Sequence, residues 1–293
     1  MFSDSHFHLM TMDGGNAECG KQILSDYADL NPAFGVDIGT KCGDLSVRVR
    51  HAEECLSLMD DEKKSAVSSF LCFTAGIWPS VNEIKTREES IRTLEKQICD
   101  FEKENHFKKH IVAIGECGLD HHWNPSNPDA RTEDDFDDEV YAGERELFLM
   151  QIQLAKKLDL PVIVHSRDAF DETLSCIDEA GWHNGIIHCY SYGIEEARKF
   201  IDRGWYIAFG GGTTYTKKSR MEDMKNLLRY VPSDRILLET DAPYLSPVPL
   251  RGKPNVPVNV RFTYEFIASC REVSVEDLCG TVDENLRILF GKR

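Results

Sequence analysis

The sequence predicts an α/β chain whose parallel sheet closes into a (β/α)8 TIM barrel, with residues 1–293 forming a single barrel unit. Three observations carry this expectation. Eight short apolar runs alternate with longer stretches of helical period. No Pro/Gly-rich linker interrupts the alternation, as expected for parallel strands joined by helical crossovers. The fingerprint of an open doubly wound sheet, Gly-x-Gly-x-x-Gly after the first strand, is absent. Gly210-Gly-Gly212 comes late and reads as a turn at a strand end.

Taken in order, the predicted strands are Phe2–His8, Phe34–Gly39, Val67–Gly76, Ile111–Gly115, Pro161–His165, Gly185–His188, Trp205–Gly210 and Arg235–Glu239. Between them, Ser80–Glu104 spaces Ile84, Ile91, Leu94 and Ile98 in a rough helical pattern. Glu139–Leu158 carries Leu147, Phe148, Met150, Ile152, Leu154 and Ala155 in the same manner. Asp168–Ala180, Ile194–Asp202 and Lys218–Tyr230 follow. Pro257–Arg271 and Ser274–Phe290 close the chain as helices, with Ser274 as the expected N-cap of the second.

Composition bounds the function. Hydrophobic residues are 41% of the chain and charged residues 29%, which is ordinary globular usage. There is no run of about 18 apolar residues and no basic-then-apolar leader, so neither a membrane span nor a signal peptide is expected. Ten cysteines are scattered without a Cys-x-x-Cys pair, as expected of free thiols in a cytoplasmic protein. The net charge of −16 argues against a broad basic groove for nucleic acid. It leaves room for a nuclease with local, metal-mediated phosphate contacts. The acidic run 129–139 reads as a solvated loop, because the spacing of an EF-hand calcium loop is absent.

The strand ends are the informative positions. The first strand ends in His6-Phe-His8, where residues two apart share a face with each other and with Asp4. The fourth is followed by Glu116, the fifth ends in His165, the sixth in His188, and the eighth is followed by Asp241. In a barrel these C-terminal ends meet on one rim, where active sites lie. Each residue alone has a structural reading, such as a core histidine bonded to a carbonyl or an aspartate opening a turn. Together they do not, since burying several carboxylates and imidazoles is costly unless they are paired or bind metal. Four imidazoles and two carboxylates exceed the needs of one zinc ion and suit two divalent ions. The mixed nitrogen and oxygen set does not fix the metal among magnesium, manganese, zinc or iron.

These residues sit in blocks that resemble the TatD family of metal-dependent deoxyribonucleases. The blocks are Asp4-Ser-His-Phe-His8, Ile114-Gly-Glu-Cys-Gly-Leu-Asp120, Pro161-Val-Ile-Val-His-Ser-Arg-Asp168, His188-Cys-Tyr-Ser191, Glu239-Thr-Asp-Ala-Pro-Tyr-Leu245, Arg251-Gly-Lys-Pro-Asn255 and Asp283-Glu-Asn-Leu-Arg-Ile-Leu-Phe290. The resemblance implies an amidohydrolase-type barrel with two divalent metal ions. It implies that His6 and His8 hold one ion and His165 and His188 the other, with Glu116 bridging them. Asp241 would bind the first ion and act as general base. The implied activity is hydrolysis of DNA phosphodiesters, often from the end of a single strand.

Arg167, Arg251 and Lys253 are candidate phosphate contacts, with Arg167 alternatively orienting Glu116 or Asp241. Glu239 is a candidate for support of the ligand set. Two departures stand out. Trp78 in Gly76-Ile-Trp-Pro79 replaces the histidine usual before that proline, and either stacks on a base or packs over the barrel. The loop after Asp120 is long and contains the acidic run. Two other readings remain open at this point. One is a two-metal amidohydrolase of the same architecture acting on a small amide, ester or lactone. The other is a non-catalytic binding barrel, which the intact ligand set disfavours.

Overall fold

The structure, a computed structural model, describes residues 1–104, 111–122 and 137–291. Eight strands form one sheet in chain order, each parallel to the next. They are β1 (Asp4–Phe7), β2 (Gly35–Asp37), β3 (Leu71–Ala75), β4 (Ile111–Asp120), β5 (Val162–Arg167), β6 (Gly185–Ile187), β7 (Tyr206–Phe209) and β8 (Ile236–Leu238). The chain after β8 returns to β1. Phe7 bridges Ala242 in parallel, and the Asp241 N–H donates to the His6 carbonyl at 2.9 Å. The fold is therefore the expected (β/α)8 barrel, nearly closed.

The described helices are α1 (Leu9–Asp13), α2 (Ala17–Ala28), α3 (Leu45–Ser57), α4 (Asp61–Phe70), α5 (Val81–Lys85) and α6 (Arg87–Glu104) in the first half. The second half carries α7 (Asp138–Leu158), α8 (Phe170–Ala180), α9 (Ile194–Ile201), α10 (Met221–Tyr230), α11 (Val260–Arg271) and α12 (Val275–Leu289). Each strand is buried along almost its whole length. That is why the strands read as continuous apolar runs rather than as alternating ones.

Four boundaries differ from the sequence expectation, each for a local reason. Val67–Phe70 ends α4 and does not belong to β3; Val67 and Phe70 are buried at helical spacing and run into the strand with no polar break. The stretch 80–104 divides at Thr86, whose N–H closes α5. Helix α10 is preceded by a separate 3-10 turn, Lys218–Arg220. The end of the acidic run is no loop: Asp137 caps α7 by accepting the Val140 N–H at 2.9 Å, and Asp138 and Glu139 lie in its first turn. Carboxylates there complement the free N–H groups and the helix dipole. The rest of the run, residues 129–136, lies outside the described residues. Ser274 caps α12 as expected, accepting the Asp277 N–H at 3.0 Å.

Helix α12 locks the barrel seam through polar groups inside the core. The Ser3 hydroxyl donates to Asp283, and the Asn285 amide donates to the carbonyls of Ser233 at 2.8 Å and Ile236 at 2.9 Å. Asn285 is buried, so its loss strands two carbonyls away from water. Asn285→Leu is expected to destabilise the fold by about 2–4 kcal/mol. An unchanged urea midpoint would show that water or a neighbour replaces those bonds.

Candidate metal centre

Six side chains meet at the rim. His6 lies in β1, and His8 follows it on the same side of the chain. Their Nε2 atoms are 3.3 Å apart. Glu116 comes from β4, where the ladder register shifts between Ile114 and Cys117. In place of a regular ladder bond, its N–H reaches past β3 to the Gly39 carbonyl at 2.7 Å, and the Thr74 hydroxyl holds the Gly115 carbonyl. Gly76 makes room for this, since a Cβ there would stand 2.3 Å from the Gly115 carbonyl carbon. Glu116 is thus not the end of a four- or five-residue strand, as the sequence implied. It sits inside a ten-residue strand whose bulge turns its carboxylate to the barrel axis.

The Glu116 carboxylate divides between two histidine pairs. Oε2 lies 3.4 Å from His6 Nε2 and 3.8 Å from His8 Nε2. Oε1 lies 2.9 Å from His165 Nδ1 and 3.2 Å from His188 Nε2. Asp241 faces the first pair, with Oδ1 3.7 Å from His6 Nε2 and 3.6 Å from His8 Nε2. It follows β8 with φ +56°, a left-handed conformation uncommon outside glycine and enriched at functional positions.

The far nitrogens of the second pair are held from behind. His165 Nε2 meets Asp120 Oδ2 at 3.0 Å, and His188 Nδ1 lies 3.4 Å from Glu239 Oε1. The Asp120 contact fixes which nitrogen of His165 points inward. Glu239, the candidate for support of the ligand set, lies behind the His188 ring. In the sequence Asp120 is only the end of a block, and its spacing of four from Glu116 marks no role. Asp4 does not face the centre. It accepts from the Thr240 N–H and hydroxyl and from the His6 N–H, and so binds β1 to the segment that presents Asp241.

The electrostatics favour positive charge at the centre. Burial alone would push the Glu116 carboxyl up, but His188, His165 and His6 outweigh it and hold it well below the usual range. Asp241 is likewise held low, with burial overcome by His8, His6 and His188. Burial works against a charged His165, yet Asp120 and Glu116 push its pKa up to about 9. Such a cluster of buried carboxylates and imidazoles, each imidazole presenting a nitrogen inward, fits divalent ions in chemistry and arrangement. The four inward nitrogens and the Glu116 and Asp241 oxygens are the atoms that could hold them.

The other predicted residues lie further out. Arg167 ends β5 and is exposed. It lies close enough to Cys189, beside His188, to oppose the burial and carboxylates that drive that thiol's pKa up. Among the described residues no carboxylate forms an ion pair with Arg167, so the alternative role of orienting Glu116 or Asp241 is not what the structure shows. Arg251 is exposed and packs its guanidinium 4.3 Å from the centre of the Tyr215 ring. Lys253 is exposed on the same loop. Trp78 is half-buried, its ring edge-on to His165 at 5.9 Å between centres. Tyr244, which sequence reasoning passed over, stands edge-on to His8 at 6.2 Å and is 49% exposed.

One glycine is essential to this geometry. Gly118 has φ +150°, and a Cβ there would lie 1.9 Å from the His165 carbonyl oxygen. Gly118→Ala must push β5 away and displace His165. It is expected to destabilise the fold by about 1–3 kcal/mol and to weaken metal retention. Wild-type metal content together with a wild-type melting temperature would contradict this.

The family model of TatD related DNase matches residues 3–291. The uncharacterized metal-dependent hydrolase YabD of Bacillus subtilis is 35% identical over 215 residues, which is 73% of this chain and 75% of that protein. A protein of Citrobacter koseri named 3'-5' ssDNA/RNA exonuclease TatD is 32% identical over 189 residues, 62% of this chain and 66% of its own length. The crystal structure of YjjV, a TatD homologue of Escherichia coli K12, superposes with a TM-score of 0.77 over 98% of this chain and 97% of that one, at 24% identity. A likeness at that identity speaks for the barrel alone. The match along nearly the whole chain goes further, and by it this protein belongs to the TatD related DNase family of metal-dependent hydrolases.

Proposed function

We propose that the protein is a deoxyribonuclease that hydrolyses DNA phosphodiester bonds, as an exonuclease on single strands, with two divalent metal ions per chain. The observation that carries this reading is the division of the Glu116 oxygens between two imidazole pairs. His6 and His8 would hold one ion and His165 and His188 the other, with Glu116 shared between the pairs and Asp241 beside the first. Magnesium, manganese or zinc placed there supplies an activated water at neutral pH and neutralises charge on the phosphoryl oxygens.

The chain's own residues do the rest. Asp241, held ionised beside His8, accepts the proton of the attacking water. Arg167, free of carboxylate ion pairs among the described residues, offers a forked donor to the scissile phosphate. Arg251 and Lys253 reach phosphates further along the strand, and Trp78 gives a base a face or edge to pack on. The Citrobacter relative's name, with single-stranded DNA and RNA in it, supports this substrate class. No described helix is long and apolar enough to cross a membrane. All ten cysteines are free thiols, which favours the cytoplasm as the working compartment.

The test uses chelator-stripped protein reloaded in turn with magnesium, manganese and zinc and incubated with end-labelled single-stranded DNA. Metal-dependent shortening is expected, with a product ladder that gives the polarity. No shortening with any metal, in protein that binds about two ions per chain, would overturn the nuclease reading in favour of a small amide, ester or lactone substrate.

A further inference from the structure

A second cluster of metal-competent side chains lies away from the rim, among the first three helices. Asp13 ends α1, the helix that leads off directly after His8. His51 and Cys55 are four residues apart on α3 and so share one face. All three are buried, Cys55 completely. His51 Nε2 lies 2.6 Å from Asp13 Oδ2 and 3.7 Å from Cys55 Sγ. The other Asp13 oxygen accepts the Gly15 N–H at 2.7 Å, which fixes the carboxylate.

An ion pair between Asp13 and His51 would account for two of these groups, but not for the third. A ring nitrogen donates one strong hydrogen bond, and here a carboxylate oxygen and a sulfur converge on the same one. The three atoms also converge on one point of α2. A Cβ built on Gly20 would stand 2.4 Å from Asp13 Oδ2, 2.6 Å from Cys55 Sγ and 3.3 Å from His51 Nε2. Any side chain at position 20 would collide with Asp13 and Cys55, so glycine is what lets α2 pack against the three atoms. One oxygen, one nitrogen and one sulfur within 4.8 Å of one another supply three of the four ligands that zinc takes.

We propose that Asp13, His51 and Cys55 bind a structural zinc ion that ties α1, the helix directly after His8, to α2 and α3. Binding deprotonates the Cys55 thiol and releases that proton to solvent; the new bond is zinc to sulfur, and no group is oxidised or reduced. A carboxylate, a thiolate and a neutral imidazole then cancel the charge of the dication, so the buried site is neutral overall. The thiolate selects zinc over magnesium or calcium, which prefer oxygen ligands. Without an ion, burial and the neighbouring Asp13 keep the thiol protonated, pushing its pKa up to about 12. The site owes nothing to the assignment of the rim residues.

The rim offers only nitrogen and oxygen among its six residues, so sulfur is the signature. X-ray absorption at the zinc edge of wild-type protein saturated with zinc is expected to show a sulfur neighbour at about 2.3 Å. Cys55→Ser should remove that sulfur and lower the zinc content by one ion per chain, and Cys189→Ser, beside the rim, should leave it in place. A wild-type spectrum with nitrogen and oxygen neighbours alone would overturn the proposal, and that measurement needs no variant to fold. So would a sulfur signal that survives Cys55→Ser.

Discussion

Asp241→Asn is expected to lower hydrolysis by about 10²–10⁴-fold while leaving the fold intact. The backbone at this position makes the contacts that matter for structure. Its N–H donates to the His6 carbonyl, and its carbonyl accepts the Tyr244 N–H at 2.8 Å. Asparagine keeps both. It also tolerates the left-handed conformation found here, φ +56°, better than most residues. The amide keeps an oxygen that can approach His6 and His8 at the distances seen for Oδ1, 3.7 and 3.6 Å. What it loses is the negative charge and the ability to accept a proton. Turnover should therefore collapse at saturating metal, with the melting temperature close to wild type. Activity within a few-fold of wild type would remove Asp241 from the role of base. It would point to another rim carboxylate.

Most of the barrel was legible because a parallel strand buried on both faces is apolar until it reaches the rim, where the first polar residue marks its end. The places of His165, His188 and Asp241 at the rim are read in this way. Glu116 was found for a partly wrong reason. It looked like a strand end because Gly115 interrupts the apolar run, whereas the glycine marks a bulge inside a longer strand. The boundary between α4 and β3 was invisible because Val67 and Phe70 are as apolar as the strand they precede. Asp120 and Asp4 act through partners 45 and 236 residues away, the His165 ring and the Thr240 backbone. No local period reports such pairs. The Asp13, His51 and Cys55 cluster is hidden for the same reason, since it depends on how three helices pack around Gly20. Arg167, Arg251 and Lys253 gave no positional signal beyond their motifs, because exposed cations on loops obey no burial pattern.

Glu116→Ala is expected to empty the rim of metal, with affinity there falling by more than about 100-fold. The argument rests on what the carboxylate does twice. One oxygen stands among the His6 and His8 nitrogens and the other among those of His165 and His188, so this one carboxylate spans both pairs. Its removal leaves four imidazoles packed together, with the His6 and His188 rings stacked at 4.0 Å and only Asp241 to balance charge on the first pair. Two dications in that setting would repel each other without an intervening anion. The scaffold should survive, because β4 is held here by the Glu116 N–H and the Gly115 carbonyl, which alanine retains. Glu116→Gln makes the sharper comparison: it keeps the volume and one carbonyl oxygen but loses the charge, so it should retain more metal than alanine and less than wild type. Metal analysis of the three proteins after identical dialysis reads the series directly. A zinc ion at Cys55 would remain in all of them, setting a floor of one per chain. Alanine-variant protein with the wild-type metal content would end the case for Glu116 as the bridge, whatever its activity.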